Sequence, residues 1–444
     1  MKRLFGTDGV RGIVGEELDA NLAFSLGVRA AEVLATEKGP LSVLVGEDTR
    51  KSSPTLAAAI SDGLAAGGAR VYRLGVLPTP AVSYLTVARG ADLGVVISAS
   101  HNPHEYNGIK FLGADGEKLS DDCEEKIEEA LLRPPLGAER RGGVSWAVLG
   151  AEEYLAHLAQ YAKRSSLRVL VDCANGAYSP LAARLLPLLS ENGEAIFCEP
   201  NGENINRGCG STAMAALTRA VCEGGYDLGI AFDGDGDRCL LVDERGRIVD
   251  GDEILAIVAI DRHRRSVEGS FSVVGTVMTN GGLPRLLADE GIGFSASAVG
   301  DRHVREEMRR LGCSLGGESS GHVIFSEKAV TGDGALTAME VLSVMGREKR
   351  PLSQLAARMK RYPARTVNLP LPHSARAALS DDGAIRQAQC EADAMLAGEG
   401  RVLLRPSGTE PCLRITVEAC DALLLDTVCN MLVEKVARSL RKYE

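Results

Sequence analysis

Aromatic residues are scarce, with Phe, Trp and Tyr making up 4 % of the 444 residues. That argues against an aromatic-rich binding protein. Positive charge is also short: 50 Lys and Arg face 60 Asp and Glu, giving a net charge of −10, and no Lys/Arg run exceeds a few residues. Nucleic acid, which demands a basic face, is therefore not expected as a partner. No window approaches 18 uninterrupted apolar residues, so neither a membrane span nor a membrane partner is expected. The 11 cysteines form no CxxC pair, which argues against a disulfide framework or a zinc site and fits a reducing cytosol. The opening "MKRLFGTDGVRG" has no apolar stretch behind its basic residues, so no signal peptide is visible and a cytoplasmic location is expected.

What is present is glycine, 50 residues of it, in a chain that is 45 % apolar and 25 % charged. Strand-like and helix-like stretches alternate almost throughout. Strands are predicted over 41–46, 69–75, 92–98, 167–172, 194–200, 226–233, 270–277 and 293–300, each closing on a loop with Gly or Asp. Such alternation predicts α/β layers, repeated as related modules. Breaks fall in "LLRPPLGAERRGG" (131–143), "RGRIVDGDE" (245–253) and "KRYPARTVNLPLP" (360–372). They divide the chain into α/β domains at 1–145, 146–250 and 251–364 and a smaller α+β domain at 365–444. The tail 421–440 reads as a helix capped by Asp421, with Leu425, Val428, Leu432 and Val436 on one face.

The strongest chemical signal is "AFDGDGDRCLLVDE" (231–244), in which Asp233, Asp235 and Asp237 alternate with glycines. Three carboxylates this close repel one another unless a cation lies between them. Hard oxygen ligands point to Mg²⁺ or Ca²⁺. An EF-hand fits poorly, because its sixth position is Arg238, where the sharp turn needs Gly, and because the flanks read as strands; a solvated acidic turn of Asp-Gly pairs is the other alternative.

"VVISASHNPHEYNGIKF" (95–111) sets Ser100 and His101 where a buried strand opens into a loop. A turn residue and a nucleophile are both compatible with Ser100, although no G-x-S-x-G elbow of a serine hydrolase surrounds it. A serine beside an oxygen-ligand metal points to phosphoryl transfer. "LLRPSGTEPCLR" (403–414) agrees with that: backbone N–H groups and the Ser407 and Thr409 hydroxyls can surround a phosphate, with charge from Arg405 and Arg414. In "GGESSGH" (316–322), Glu318 and Ser320 can bond sugar hydroxyls and His322 can move a proton.

Together these motifs resemble the α-D-phosphohexomutases, and within them the bacterial phosphoglucosamine mutases. The resemblance runs in order through "FGTDGVRG" (5–12), "ASHNPHEYNGIKF", "PNGENINRGCGST" (200–212), "DGDGDR", "VGDRHV" (299–304), "GGESSGH", "TGDGAL" (331–336) and "RPSGTEP", covering nearly the whole chain. It implies three related α/β domains and a smaller fourth one around a central cleft. It implies a phosphoserine at Ser100 and one Mg²⁺ on Asp233, Asp235, Asp237 and an oxygen of that phosphate. Glu318 and Ser320 would read sugar hydroxyls, and the loop with Arg405, Ser407, Gly408 and Thr409 would hold the substrate's distal phosphate. The implied reaction interconverts glucosamine 6-phosphate and glucosamine 1-phosphate through a 1,6-bisphosphate and feeds UDP-N-acetylglucosamine synthesis. Glucose or mannose phosphates are the alternative substrates.

A phosphoserine carries about −1.5 to −2 charge, so with three aspartates and one Mg²⁺ roughly −3 remains. Arg11, Lys110 and Arg238 are the cations available to offset it, and Lys110, His101 and His322 are the candidate bases. The chain departs from the family pattern at His303, Ser319, Pro406 and "MTNGGL" (278–283), none of which touches the serine or the aspartates. The oligomeric state is left open, a homodimer included.

Overall fold

The computed structural model describes residues 4–6, 8–35, 39–133, 142–147, 149–265, 271–371, 382–406 and 412–443. The chain forms two compact units. One comprises Met1–Met278 and Ile292–Ala357, the other Thr279–Gly291 and Arg358–Glu444.

Three sheets organise the first unit. The six-stranded sheet runs, edge to edge, Val10–Ile13, Tyr106–Gly113, Leu93–Ile97, Ser42–Glu47, Arg70–Val76 and Gly143–Trp146. Leu93–Ile97 is fully buried in the interior of the sheet, parallel to Ser42–Glu47 and in contact with helices Ser53–Ala66 and Thr79–Ala88, so an unbroken apolar run is what the position requires. The second sheet runs Ile248–Val249, Cys239–Asp243, Leu228–Phe232, Arg168–Asp172 and Asn192–Ile196. The third runs Gly293–Ser297, Ser272–Thr276, Leu315–Gly317 and Val323–Phe325.

One design recurs in all three. A parallel strand is followed in sequence by an antiparallel neighbour: Leu93–Ile97 by Tyr106–Gly113, Leu228–Phe232 by Cys239–Asp243, and Leu315–Gly317 by Val323–Phe325. The short connections are 98–105, 233–238 and 318–322, the stretches that hold Ser100, the three aspartates, and Glu318 with His322. Chemistry therefore sits at the same topological place three times, where a central strand ends and its backbone groups are released to a loop.

The second unit pairs Ala364–Pro370 and Gly400–Pro406 on either side of Cys412–Ala419, all antiparallel. Helices Gly383–Leu396 and Ala422–Leu440 cover the sheet's apolar face. Asp421 caps the latter by accepting the Leu424 N–H, and Leu425, Val428, Leu432 and Val436 are buried, as their spacing predicts.

Two expectations change. The strand expected over 194–200 is Asn192–Ile196, because Phe197 turns to a φ of +49° and leaves the ladder, and the one expected over 293–300 ends at Ser297. The stretch 245–253 holds the short strand Ile248–Val249, which joins the second sheet, and the helix Gly251–Arg265 follows directly. Most of the linker predicted over 131–143 lies outside the described residues.

Candidate active site

Ser100 is placed by its backbone before its side chain matters. Its φ is +51°, in the left-handed region that costs a residue with a Cβ about 1–2 kcal/mol. Its N–H donates to Ser98 Oγ at 2.9 Å, and that hydroxyl donates to Asp48 Oδ2 at 2.6 Å. Arg50 pairs with the same Asp48 oxygen at 2.8 Å and is fully buried. Its guanidinium donates to the carbonyls of Ser100 (3.0 Å), Asn102 (2.9 Å), Tyr106 (3.0 Å) and Pro103. A buried arginine satisfied by four carbonyls and one carboxylate is a scaffold for the loop. Sequence reading missed Asp48 and Arg50, since "EDTR" carries no signal of what it will face.

The Ser100 hydroxyl donates to Asp233 Oδ2 at 2.5 Å, although 133 positions separate the two residues. His101 Nδ1 lies 3.3 Å from the same hydroxyl oxygen. Asp233 Oδ1 accepts the N–H groups of Gly236 (3.1 Å) and Arg238 (3.2 Å), so the carboxylate loop closes on itself. Ligand oxygens of Asp233, Asp235 and Asp237 lie within 4.8 Å of one another, and all three residues are buried. Asp235 Oδ2 accepts the Thr79 hydroxyl at 2.6 Å. Asp235 Oδ1 and Asp237 Oδ1 are buried without a hydrogen-bond partner among the described residues. Buried carboxylate oxygens gathered this closely fit a hard divalent cation.

Electrostatics agree. Burial, then the charges of Asp237 and Asp235, push the Asp233 carboxyl well above its usual range. Burial would raise Asp237 too, but the His322 hydrogen bond, Lys110 and Arg238 hold it far below. Lys110 Nζ lies 3.1 Å from Asp8, 3.7 Å from Asp235 and 3.9 Å from Asp237. Burial works against its charge, but these three carboxylates outweigh it and keep Lys110 an ammonium. Burial, Arg238 and Arg11 lower the His101 pKa, keeping that ring neutral. His322 Nε2 accepts the Gly332 N–H at 3.0 Å, which leaves Nδ1 to face Asp237 at 3.5 Å.

The remaining expected residues are placed as follows. Arg11 reaches the cluster through Asp8, with which it forms an ion pair. Arg238 Nε lies 3.9 Å from both Asp233 and Asp237. Glu318 Oε1 accepts the Gly300 N–H at 3.1 Å, and its charge acts on Arg238 and His322. Ser320 Oγ is buried without a partner among the described residues. A cavity of 220 Å³ borders Thr79, Lys110 and His322. Asp8, Lys118 and Asp301 complete the charge network: Lys118 bonds Asp8 and lies 2.7 Å from Asp301. Asp8 and Asp301 belong to "FGTDGVRG" and "VGDRHV", so a signal for both was present. In the second unit, Arg405 and Arg414 stand directly opposite each other across the sheet. Ser407, Gly408 and Thr409 lie outside the described residues.

Four consecutive parts of the chain match the phosphoglucomutase/phosphomannomutase family: its alpha/beta/alpha domains I, II and III over residues 2–135, 152–246 and 250–362, and its C-terminal domain over 367–435. Phosphoglucosamine mutases of Symbiobacterium thermophilum and a Nocardioides species are 46 % and 48 % identical to it. Each alignment covers 99 % of this chain and 100 % of the relative. The chain belongs to the phosphoglucosamine mutase family. Members of the phosphoglucosamine mutase family are phosphohexomutases, and this chain is accordingly an enzyme of the isomerase class. A phosphoglucomutase/phosphomannomutase family protein from Burkholderia thailandensis shares the fold, with a TM-score of 0.81 at 24 % identity over 99 % of this chain and 98 % of that one. So does an N-acetylphosphoglucosamine mutase from Aspergillus fumigatus, solved with GlcNAc-6P and magnesium, with a TM-score of 0.69 at 18 % identity over 98 % and 96 %. Among the described residues no helix is long and apolar enough to cross a membrane.

Gly234 gives this phosphoglucosamine mutase family site a sharp test. A Cβ there would lie 2.5 Å from the Ser100 carbonyl oxygen and 2.9 Å from Asn206 Nδ2. Gly234→Ala therefore has to push the serine loop away from the carboxylate loop. An expected loss of about 10²-fold in kcat follows from a displacement of that order. Steady-state kinetics on Gly234→Ala checks it, and wild-type turnover would show that the two loops need not touch.

Proposed function

We propose that the chain interconverts glucosamine 6-phosphate and glucosamine 1-phosphate, with Ser100 carried as a phosphoserine and one Mg²⁺ held by Asp233, Asp235 and Asp237. The observation that carries this is the 2.5 Å approach of the Ser100 hydroxyl to Asp233 inside a buried carboxylate triad. The bound cation would neutralise negative charge on the aspartates and on the transferring phosphoryl group.

In the first half-reaction the Oγ–P bond of phospho-Ser100 breaks and a bond from the sugar O1 to phosphorus forms, giving a 1,6-bisphosphate. The O1 proton passes to a base and the departing Ser100 Oγ takes up a proton. In the second, the O6–P bond breaks and O6 takes up a proton, while Ser100 Oγ bonds the phosphoryl group and releases its own proton. His101 stands 3.3 Å from that hydroxyl with a neutral ring, which supports it as the acceptor there. Lys110 and His322 are the other candidates for the sugar proton. Lys110, charged as the site stands, acts as a base only once the carboxylates around it are neutralised. Arg238, Lys110 and Arg11 offset charge during transfer. Glu318 and Ser320 read sugar hydroxyls, a role supported by the partnerless buried Ser320 hydroxyl. Arg405, Arg414 and the loop with Ser407, Gly408 and Thr409 take the substrate's phosphate, supported by the opposed arginines.

Domain boundaries near 145, 250 and 364 complete the reading, supported by the four matched ranges. A cytoplasmic location is supported by the cysteines, all eleven of them free. The product would supply UDP-N-acetylglucosamine synthesis. Side-by-side kinetics on glucosamine, glucose and mannose phosphates, with phosphopeptide mapping of the active protein, tests the proposal. Glucosamine phosphate should give the highest kcat/KM, and the phosphate should map to Ser100. A preference for glucose or mannose phosphate would move the chain to the alternative substrates.

A further inference from the structure

The stretch "PNGENINRGCGST" (200–212) marks the chain as glucosamine-type by resemblance, which invites the view that it reads the amino sugar. The side chains of Asn204, Ile205 and Asn206 point elsewhere. Asn204 closes its own loop: Oδ1 accepts the Asn201 N–H at 2.9 Å, and Nδ2 donates to the Glu199 carbonyl at 3.0 Å. Ile205 is buried and approaches Gly234 of the carboxylate loop, its Cδ1 2.9 Å from where a Cβ would stand. Asn206 holds a φ of +58° and is anchored by its own N–H to the Ala174 carbonyl at 2.9 Å. Its Nδ2 donates to the carbonyls of Ser100 (2.8 Å) and Asn102 (3.0 Å). Both amide hydrogens are thus engaged by the serine loop.

We propose that Asn206 is a positioning residue for phosphoryl transfer: it locks the left-handed backbone of Ser100 against the carboxylate loop and does not read the sugar. Arg50 grips the same two carbonyls from the domain of the serine loop itself, while Asn206 reaches them from the segment that packs on Gly234. The Ser100 carbonyl therefore lies between a guanidinium, a carboxamide and a glycine that only a missing Cβ allows so close. Losing the carboxamide frees one side of that grip and lets the hydroxyl drift from the line of transfer. The inference rests on the reading that Ser100 carries the phosphoryl group.

Asn206→Gly removes the donor and keeps the positive φ; Asn206→Asp keeps the shape and turns a carboxylate toward two carbonyl oxygens. Both variants, with Ser100→Ala beside them, are assayed on glucosamine and glucose phosphates. The expected result is a fall in kcat of about 10–10²-fold on both sugars, with KM within about twofold and Asn206→Asp the worse of the two. Single-turnover transfer from the phosphorylated variants should slow by the same factor, which a merely structural role would not produce. Wild-type kcat in both variants overturns the proposal. So does a change confined to the ratio between the two sugars, which would make Asn206 a specificity residue. If Ser100→Ala itself turns over normally, the reading beneath the proposal fails, and the proposal with it.

Discussion

Ser100→Ala is expected to lower kcat by at least about 10⁴-fold, because removing a covalent carrier removes the route and not merely a contact. The loss should not be one of folding. The loop is held by main-chain groups of Ser100, by Ser98, and by the Arg50 bonds to four carbonyls, and none of these uses Oγ. The variant therefore should melt close to wild type. Ser100→Gly separates carrier from conformation: it relieves the left-handed backbone while also lacking the hydroxyl. It should be as inactive as the alanine variant and melt no lower. Intact mass should show a phosphate on wild type after incubation with a sugar 1,6-bisphosphate and none on Ser100 in either variant. Full activity in either variant would end the phosphoserine scheme.

Asp233→Asn is expected to cost about 10³-fold in kcat and yet leave the metal-free protein at least as stable as wild type. The sign follows from the carboxyl's raised pKa, caused by burial and then by Asp237 and Asp235. A carboxyl whose pKa is higher folded than unfolded opposes folding as pH rises above its unfolded value, and the penalty is complete above the folded value. Asparagine removes that penalty. It also keeps an oxygen for the Gly236 and Arg238 N–H groups and can donate to the Ser100 hydroxyl. Metal binding reverses the order. Mg²⁺ at a hundred times its dissociation constant should stabilise wild type by about 2.7 kcal/mol, and the variant far less. Melting curves with and without Mg²⁺, beside kinetics, check both halves. A variant that melts lower than wild type without metal would overturn the carboxyl's penalty, and one that gains as much from Mg²⁺ would remove Asp233 from metal binding.

Local sequence was enough for the elements and the chemistry. The buried run 93–97, the capped helix 422–440 and the repeated strand–loop–helix order follow from periodicity and caps, because these are set within a few residues. The aspartate triplet pointed to a cation site, because three carboxylates at alternate positions repel one another until a positive charge lies between them, and the three do gather within 4.8 Å. Phe197, by contrast, leaves its strand through a positive φ that no local propensity announces.

What the sequence by itself determined is the inventory: a serine loop, a carboxylate loop, the loop of Glu318 and His322, and the family to which their order belongs. What only the tertiary structure decided is their registration. Arg50 and Asp48 carry no mark of function, since a buried arginine reads like a surface one until the carbonyls it faces are known, and the stretch that holds Asn206 gave no sign of its contact with Ser100. Their role exists only because sheet topology brings the ends of separate strands to one place. Contacts spanning more than a hundred residues, such as Asn206 to Ser100 and Ser100 to Asp233, depend on packing that short-range pattern cannot encode.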